Sequence, residues 1–263
     1  MGFRLSANLK DSIFHVRHVE ISEPGRERLR DELGVSCISA AEALAGADVV
    51  ILAVPDTVIG KISHELEPLY TPGMMVIVLD AAAPFAGHLP NREDITYFLT
   101  HPCHPPIFND ETDIDAKRDY FGGTKAKQSV VSALMQGPEE AYDLGESIAK
   151  VIYAPVSNSY RVTVDQMALL EPGLSETVCA TLLDTMREAL DEVVSRGVPR
   201  EAARAFLLGH MNILSAVIFE EIEGTFSDAC NKAIKYGKPA LIQPDWKNVF
   251  EPTAIAESIQ RIT

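Results

Sequence analysis

The chain has 263 residues, 46% hydrophobic and 23% charged. This is the make-up of a soluble globular protein with room for one large domain or two modest ones. Its 38 acidic residues against 23 basic ones leave a formal charge of −15, which repels phosphate backbones and anionic bilayers and excludes nucleic acid and membrane surfaces as partners.

No apolar run approaches the roughly 18 residues needed for a membrane span, and no signal-peptide core follows Met1. Four scattered cysteines without a CxxC pair (Cys37, Cys103, Cys179 and Cys230) point to a reduced, cytoplasmic compartment.

In chain order, His15 to Ile21 reads as a strand ending in Val19-Glu20-Ile21. Pro24-Gly25 reads as a turn, and Arg26 to Leu33 as a polar helix closed by Gly34. A short helix follows over Ala40 to Ala47. Val49 to Val54 is a continuous apolar strand ended by Pro55-Asp56, as expected in the middle of a parallel sheet. Thr57 to Leu69 reads as a helix, Met75 to Leu79 as a buried strand ended by Asp80, and Ile95 to Leu99 as a strand running into His101. Val130 to Met135 reads as the last strand of the sheet. The alternation predicts an α/β, Rossmann-type, doubly wound parallel sheet. Ligands of such sheets sit at the strands' carboxyl ends, here Glu20, Pro55-Asp56, Asp80 and His101 to His104.

After a helix over Glu140 to Ile152 and an extended piece over Val156 to Val162, the pattern is almost wholly helical. The expected division is residues 1–153, an NAD-binding domain, and 154–263, an all-helical substrate and dimerisation domain. Leu174, Val178, Leu182, Met186, Leu190 and Val194 form a long apolar stripe. Either a second subunit covers part of such stripes, as in a homodimer, or they pack on each other.

A dinucleotide site needs a first strand, a glycine-rich turn for the pyrophosphate, and an acid for the ribose. Glu20 stands 18 residues after Gly2, which suits the acid. Met1-Gly2 followed by Phe3-Arg4-Leu5 reads as the end of the glycine loop and the start of its helix. The expectation is that the strand and first glycines occupy about a dozen residues ahead of Met1. The alternative is a chain without the loop, in which Glu20 is a surface acid. A Glu20 carboxylate that accepts both ribose hydroxyls favours NAD over NADP.

The segment Thr100 to Glu111 places His101, Cys103 and His104 within four residues, stiffened by three prolines. His101 suits a metal ligand or a proton carrier, although the spacing matches no closed zinc site. Glu171, between an apolar stretch and Pro172-Gly173, reads as a carboxylate turned into a cleft or as a solvated helix end. His210, Cys179 and Cys230 read as core residues and Lys232 as a surface lysine. Arg161, Lys125 and Lys232 are candidate cations for a substrate carboxylate.

These segments together resemble the D-apionate oxidoisomerase family, part of a wider group with the 6-phosphogluconate and prephenate dehydrogenases. The resemblance rests on Ala53-Val54-Pro55-Asp56, Leu79 to His88, the His101 to Glu111 loop, Leu170 to Thr177, and Gly209-His210-Met211-Asn212. It implies NAD-dependent oxidation of a branched sugar acid, D-apionate, to 3-oxo-isoapionate, by hydride transfer and an α-ketol rearrangement. It also implies that Gly2, Glu20, Val54, Pro55, Asp56 and Asp80 meet the cofactor. His101 and Glu171 would ligate a divalent cation, zinc being the expected one, and His104 with His101 would handle protons. Two other readings stand beside it: a plain NAD-dependent hydroxyacid dehydrogenase and a non-catalytic NAD-binding protein.

Overall fold

The computed structural model describes residues 1–262; Thr263, the end of the expected helical domain, lies outside them. The chain forms two compact units, Met1–Leu170 with Ala256–Thr263, and Glu171–Ile255.

The first unit contains α1 (Gly2–Lys10), α2 (Glu23–Leu33), α3 (Ala40–Leu44), β1 (Val49–Leu52), α4 (Ile59–Leu66), β2 (Met75–Val78), α5 (Ala82–Phe85), β3 (Thr96–Pro102), α6 (Ile114–Lys117), β4 (Gln128–Gln136), α7 (Ala141–Ile152), β5 (Val156–Arg161) and α8 (Val164–Ala168). The sheet order is β1-β2-β3-β4-β5. β1, β2 and β3 run parallel, β4 is antiparallel to β3, and β5 is parallel to β4. The carboxyl ends of β1, β2 and β3 therefore share one edge with the start of β4, and the segment from Cys103 to Lys127 crosses that edge.

β2 is buried along its whole length because both faces of the sheet are covered. Val76 and Val78 point into one core with Ile59 of α4, Leu52 and Tyr97. Met75 and Ile77 point into the other with Leu5 and Leu9 of α1, Phe98, and Ile148 and Ile152 of α7. An unbroken apolar run is what a strand between two helical layers requires. Gly145 lets α7 lie directly on the sheet: a Cβ there would stand 2.4 Å from the Phe98 ring.

Four sequence expectations change. His15 to Ile21 makes no ladder; a single parallel bridge joins His18 to Cys37, with the Ile38 amide donating to the His18 carbonyl at 3.0 Å. Strand propensity alone does not make a strand where pairing is confined to one point. Pro24-Gly25 is no turn but the first turn of α2, capped by Ser22, where proline's missing N–H costs nothing. Val130 to Met135 is not the last strand, since β5 pairs beyond it. That pairing carries the compact first unit on to Leu170, past the expected boundary at residue 153.

The second unit contains α9 (Thr181–Ser195), α10 (Arg200–Ile218) and α11 (Asp228–Leu241). Helix α12 (Pro252–Ile262) belongs to the first unit from Ala256 onward. α9 and α11 have no buried residue and α10 has only Ala203 and Ala216. Leu182, Met186, Phe206, Leu214 and Ile218 are exposed. Cys179 is exposed and Cys230 half-exposed, and His210 is an exposed residue stacked on Phe206 at 4.0 Å. The core role expected for these three fails, because the apolar faces that carry them are left exposed among the described residues. Among the described residues, no helix is long and apolar enough to cross a membrane.

Candidate active site

The strand-end edge of the first unit gathers most of the expected site residues. α1 starts beside the end of β1, where a Cβ on Gly2 would touch Ala53 at 3.7 Å. The amides of Arg4 and Leu5 both turn back to the Met1 carbonyl. The amides ahead of them have no intrahelical acceptor, as at any helix start. Val54 and Pro55 follow β1, and Asp56 opens a single 3-10 turn.

Glu20 is half-buried, and its Oε1 accepts the Ser22 amide at 2.8 Å. That hydrogen bond is the main cause holding its carboxyl below the usual range, against a smaller opposing effect of burial. Gly25 makes room for it, since a Cβ there would stand 2.7 Å from the Glu20 carboxyl carbon. Asp80 is buried, and its Oδ1 accepts the Ala82 amide at 2.6 Å. This acid shapes the turn after β2.

His101 is not beyond β3 but within it, opposite Val131 of β4. His104 lies past the strand end with φ +61, a left-handed conformation that costs a non-glycine residue about 1–3 kcal/mol. Its Nδ1 lies 2.9 Å from the Phe121 carbonyl oxygen. A carbonyl only accepts, so Nδ1 carries the proton in this contact, and in the neutral tautomer that this selects Nε2 is the acceptor. The rings of His101 and His104 meet edge-on at 5.9 Å, and those of His104 and Phe121 at 6.0 Å. Asp119 braces the loop behind them: its Oδ2 accepts the amides of Thr124, Lys125 and Ala126. Cys103 follows His101 and Pro102 at the end of β3; its side chain keeps an exposed face, and partial burial pushes its thiol pKa up, away from the thiolate that a nucleophile needs.

Glu171 lies on a π-helical segment, Leu169–Ala180, with Pro172 inside it and the Thr177 hydroxyl bonded to the Pro172 carbonyl at 2.6 Å. Proline removes an amide from the helical ladder, and wide turns of this kind recur at functional sites.

The three candidate cations are neutralised. Arg161 holds Glu139 through both guanidinium prongs. Lys125 pairs with Asp115 at 2.6 Å and Lys232 with Asp228 at 2.7 Å. The sequence reading passed over Arg4, Phe121 to Gly123, and Gln128, all on the strand-end edge. The available signals were a Gly122-Gly123 pair and a glutamine opening an apolar strand.

Residues 109–263 match the phosphogluconate dehydrogenase (decarboxylating) C-terminal family. The chain is 70% identical to a D-apionate oxidoisomerase of Cupriavidus necator, across all of this chain and 95% of that protein. It is 68% identical to a D-apionate oxidoisomerase of Rhizobium rhizogenes, across all of this chain and 96% of that protein. Among solved structures, it is similar to a semialdehyde dehydrogenase NAD-binding protein from Cupriavidus necator in complex with calcium and NAD. The TM-score is 0.98 and the identity 69%, covering all of this chain and 95% of that one.

Proposed function

The chain belongs to the D-apionate oxidoisomerase family, and on that premise we propose that it oxidises D-apionate with NAD and rearranges the product to 3-oxo-isoapionate. The observation that carries this reading is the 70% identity to a D-apionate oxidoisomerase across the whole chain; the hydrogen-bonded Glu20 and the contact of His104 with the Phe121 carbonyl support it.

Glu20, Gly2, Val54, Pro55, Asp56 and Asp80 are the proposed cofactor residues. The fit is chemical: the first turn of a helix such as α1 presents amides suited to a pyrophosphate, and an acid with a lowered pKa suits ribose hydroxyls while repelling a 2′-phosphate. Bound NAD supplies the hydride acceptor. His104 takes the proton of the hydroxyl next to the carboxylate through Nε2 as the carbon there is oxidised, and His101 stands beside it. The resulting 2-keto acid carries a tertiary alcohol on the neighbouring carbon, and its hydroxymethyl group moves to the ketone carbon.

His101 and Glu171 are the cation ligands the family resemblance implies. Among the described residues, no three His, Cys, Asp or Glu side chains converge as in a closed site. Two ligands fit a cation that leaves positions open for substrate oxygens. Such an ion would supply Lewis-acid polarisation of the substrate ketone. Zinc is the proposed ion. The similar Cupriavidus structure holds calcium, so metal analysis decides between them.

A homodimer through the helical unit and a cytoplasmic location complete the reading. The exposed apolar residues of α9 and α10 support the first, and four unpaired cysteines the second.

The test is product analysis after incubation with D-apionate and NAD. A product whose hydroxymethyl group has moved to the neighbouring carbon is expected. A product with the branch in place makes the chain a plain hydroxyacid dehydrogenase. Full activity in a chelator-treated, metal-free preparation removes the cation.

A further inference from the structure

A small cavity of about 80 Å³ opens on the strand-end edge, lined by Arg4, Leu5, Gly122, Gly123, Gln128 and Tyr153 among others. It has room for several water molecules, about the bulk of a carboxylate and the carbinol carbon beside it. Two of its groups have unfilled bonding capacity.

The first is Gln128. It is 1% exposed, and its Nε2 donates to the Tyr153 carbonyl at 2.8 Å. That bond fixes the orientation of the amide, since a carbonyl cannot donate to Oε1. Oε1 is buried without a partner among the described residues. A buried acceptor left without a hydrogen bond is costly, so its position calls for a donor from outside the chain.

The second is Arg4. One of its five N–H groups reaches the Gly122 carbonyl at 3.3 Å, and its guanidinium lies 4.9 Å from the centre of the Phe121 ring. Unlike Arg161, Lys125 and Lys232, it has no carboxylate partner among the described residues. Phe121 in turn meets the ring of His104, which puts the free cation one side chain away from the proposed base.

Arg4 also faces away from the neighbours of Gly2. Residues two apart on a helix point about 200° apart. Gly2 faces Ala53 at the end of β1, while Arg4 faces Gly122. A ligand group at Arg4 is therefore on a different side of the helix start from one passing over Gly2.

We infer that Arg4 and Gln128 form the subsite that holds the acid end of the substrate, Arg4 binding the carboxylate and Gln128 Oε1 accepting from the adjacent hydroxyl. This rests on the reading of the substrate as a sugar acid. It assigns Arg4 in place of the three neutralised cations. A hydroxy acid matches the pair, because it presents an anion and a donor on neighbouring carbons.

The test is calorimetric titration of D-apionate into the full chain, with and without saturating NADH, for wild type, Arg4→Gln, Arg4→Lys and Gln128→Leu. NADH binding is followed separately by fluorescence, and folding by circular dichroism. Arg4→Gln is expected to weaken D-apionate binding about tenfold or more, as for a lost charged hydrogen bond. Arg4→Lys and Gln128→Leu should give smaller losses, with NADH affinity unchanged in all three.

A loss of NADH affinity with D-apionate binding retained would mean that Arg4 serves the cofactor phosphates, and would overturn the proposal. No change in either would also overturn it. If Arg4→Gln does not fold, Arg4→Lys and Gln128→Leu decide. Wild type that ignores D-apionate but binds another 2-hydroxycarboxylate in an Arg4-dependent way overturns the substrate reading and upholds the subsite. Wild type that binds no hydroxycarboxylate overturns both.

Discussion

The Nδ1 atom of His104 and the carbonyl oxygen of Phe121 stand 2.9 Å apart, and that contact sets the tautomer of the ring. Nε2 is left as the acceptor at the strand-end edge. Substituting His104→Gln should lower kcat by about 10²–10⁴, the usual worth of a positioned acid or base. Melting temperature and NADH affinity should stay close to wild type. Steady-state kinetics beside fluorescence titration checks this; a kcat within a factor of a few of wild type would remove His104 from the proton pathway.

Glu20 and Gly25 form a second coupled pair. The added methyl of Gly25→Ala would strike both the carboxyl end of Glu20 and the Ser22 hydroxyl that caps α2, so Glu20 loses its place and the cap is disturbed with it. Gly25→Ala and Glu20→Gln should both weaken NADH binding several-fold, and Glu20→Gln should also narrow the preference for NAD over NADP. The pH dependence follows from the Ser22 amide, which lowers the Glu20 pKa. A depressed carboxyl pKa contributes above the ordinary carboxylate range and is lost as pH falls through the lowered value. NADH affinity should therefore hold flat from about pH 8 down to about pH 5. A fall beginning well above that would show that another group controls binding.

Gly145 bears on stability alone. A Cβ at this position would meet the fully buried Phe98 ring at 2.4 Å, and the ring is itself tilted against Tyr142 at 5.5 Å. Overpacking of this kind costs about 1–3 kcal/mol, more than alanine gains over glycine in a helix. Gly145→Ala should lower the denaturant midpoint with an unchanged slope. A variant as stable as wild type would mean that α7 shifts outward freely.

The helical unit leaves Phe206, Leu214 and Ile218 exposed on α10. If a second copy covers them, sedimentation equilibrium should give twice the chain mass at micromolar concentration. Phe206→Glu should shift the equilibrium toward monomer by burying a charge. A wild-type monomer at high concentration would refute the dimer.

Much of the frame was legible in the sequence. The apolar runs at Val49 and Met75 announced buried parallel strands, Gly34 closed its helix in the left-handed conformation, and the turn of character after Glu139 announced the helical half. These are signals carried by neighbouring residues, and local propensity and periodicity suffice to read them. The segment His15 to Ile21 misled for the complementary reason: it has strand composition but only one bridge, and pairing is a property of two segments.

The candidate site divides along the same line. The sequence alone determined which residue types stand at the ends of β1, β2 and β3: Asp56, Asp80, His101 and His104. Only the tertiary structure decided what each of them meets. Arg161, Lys125 and Lys232 read as free cations until their carboxylate partners came into view. Arg4 reads as an ordinary helix residue until Gly122, 118 positions away, comes within hydrogen-bond reach. Charge and hydrogen-bonding capacity belong to the residue, but whether they are spent or left for a ligand depends on contacts distant in the chain.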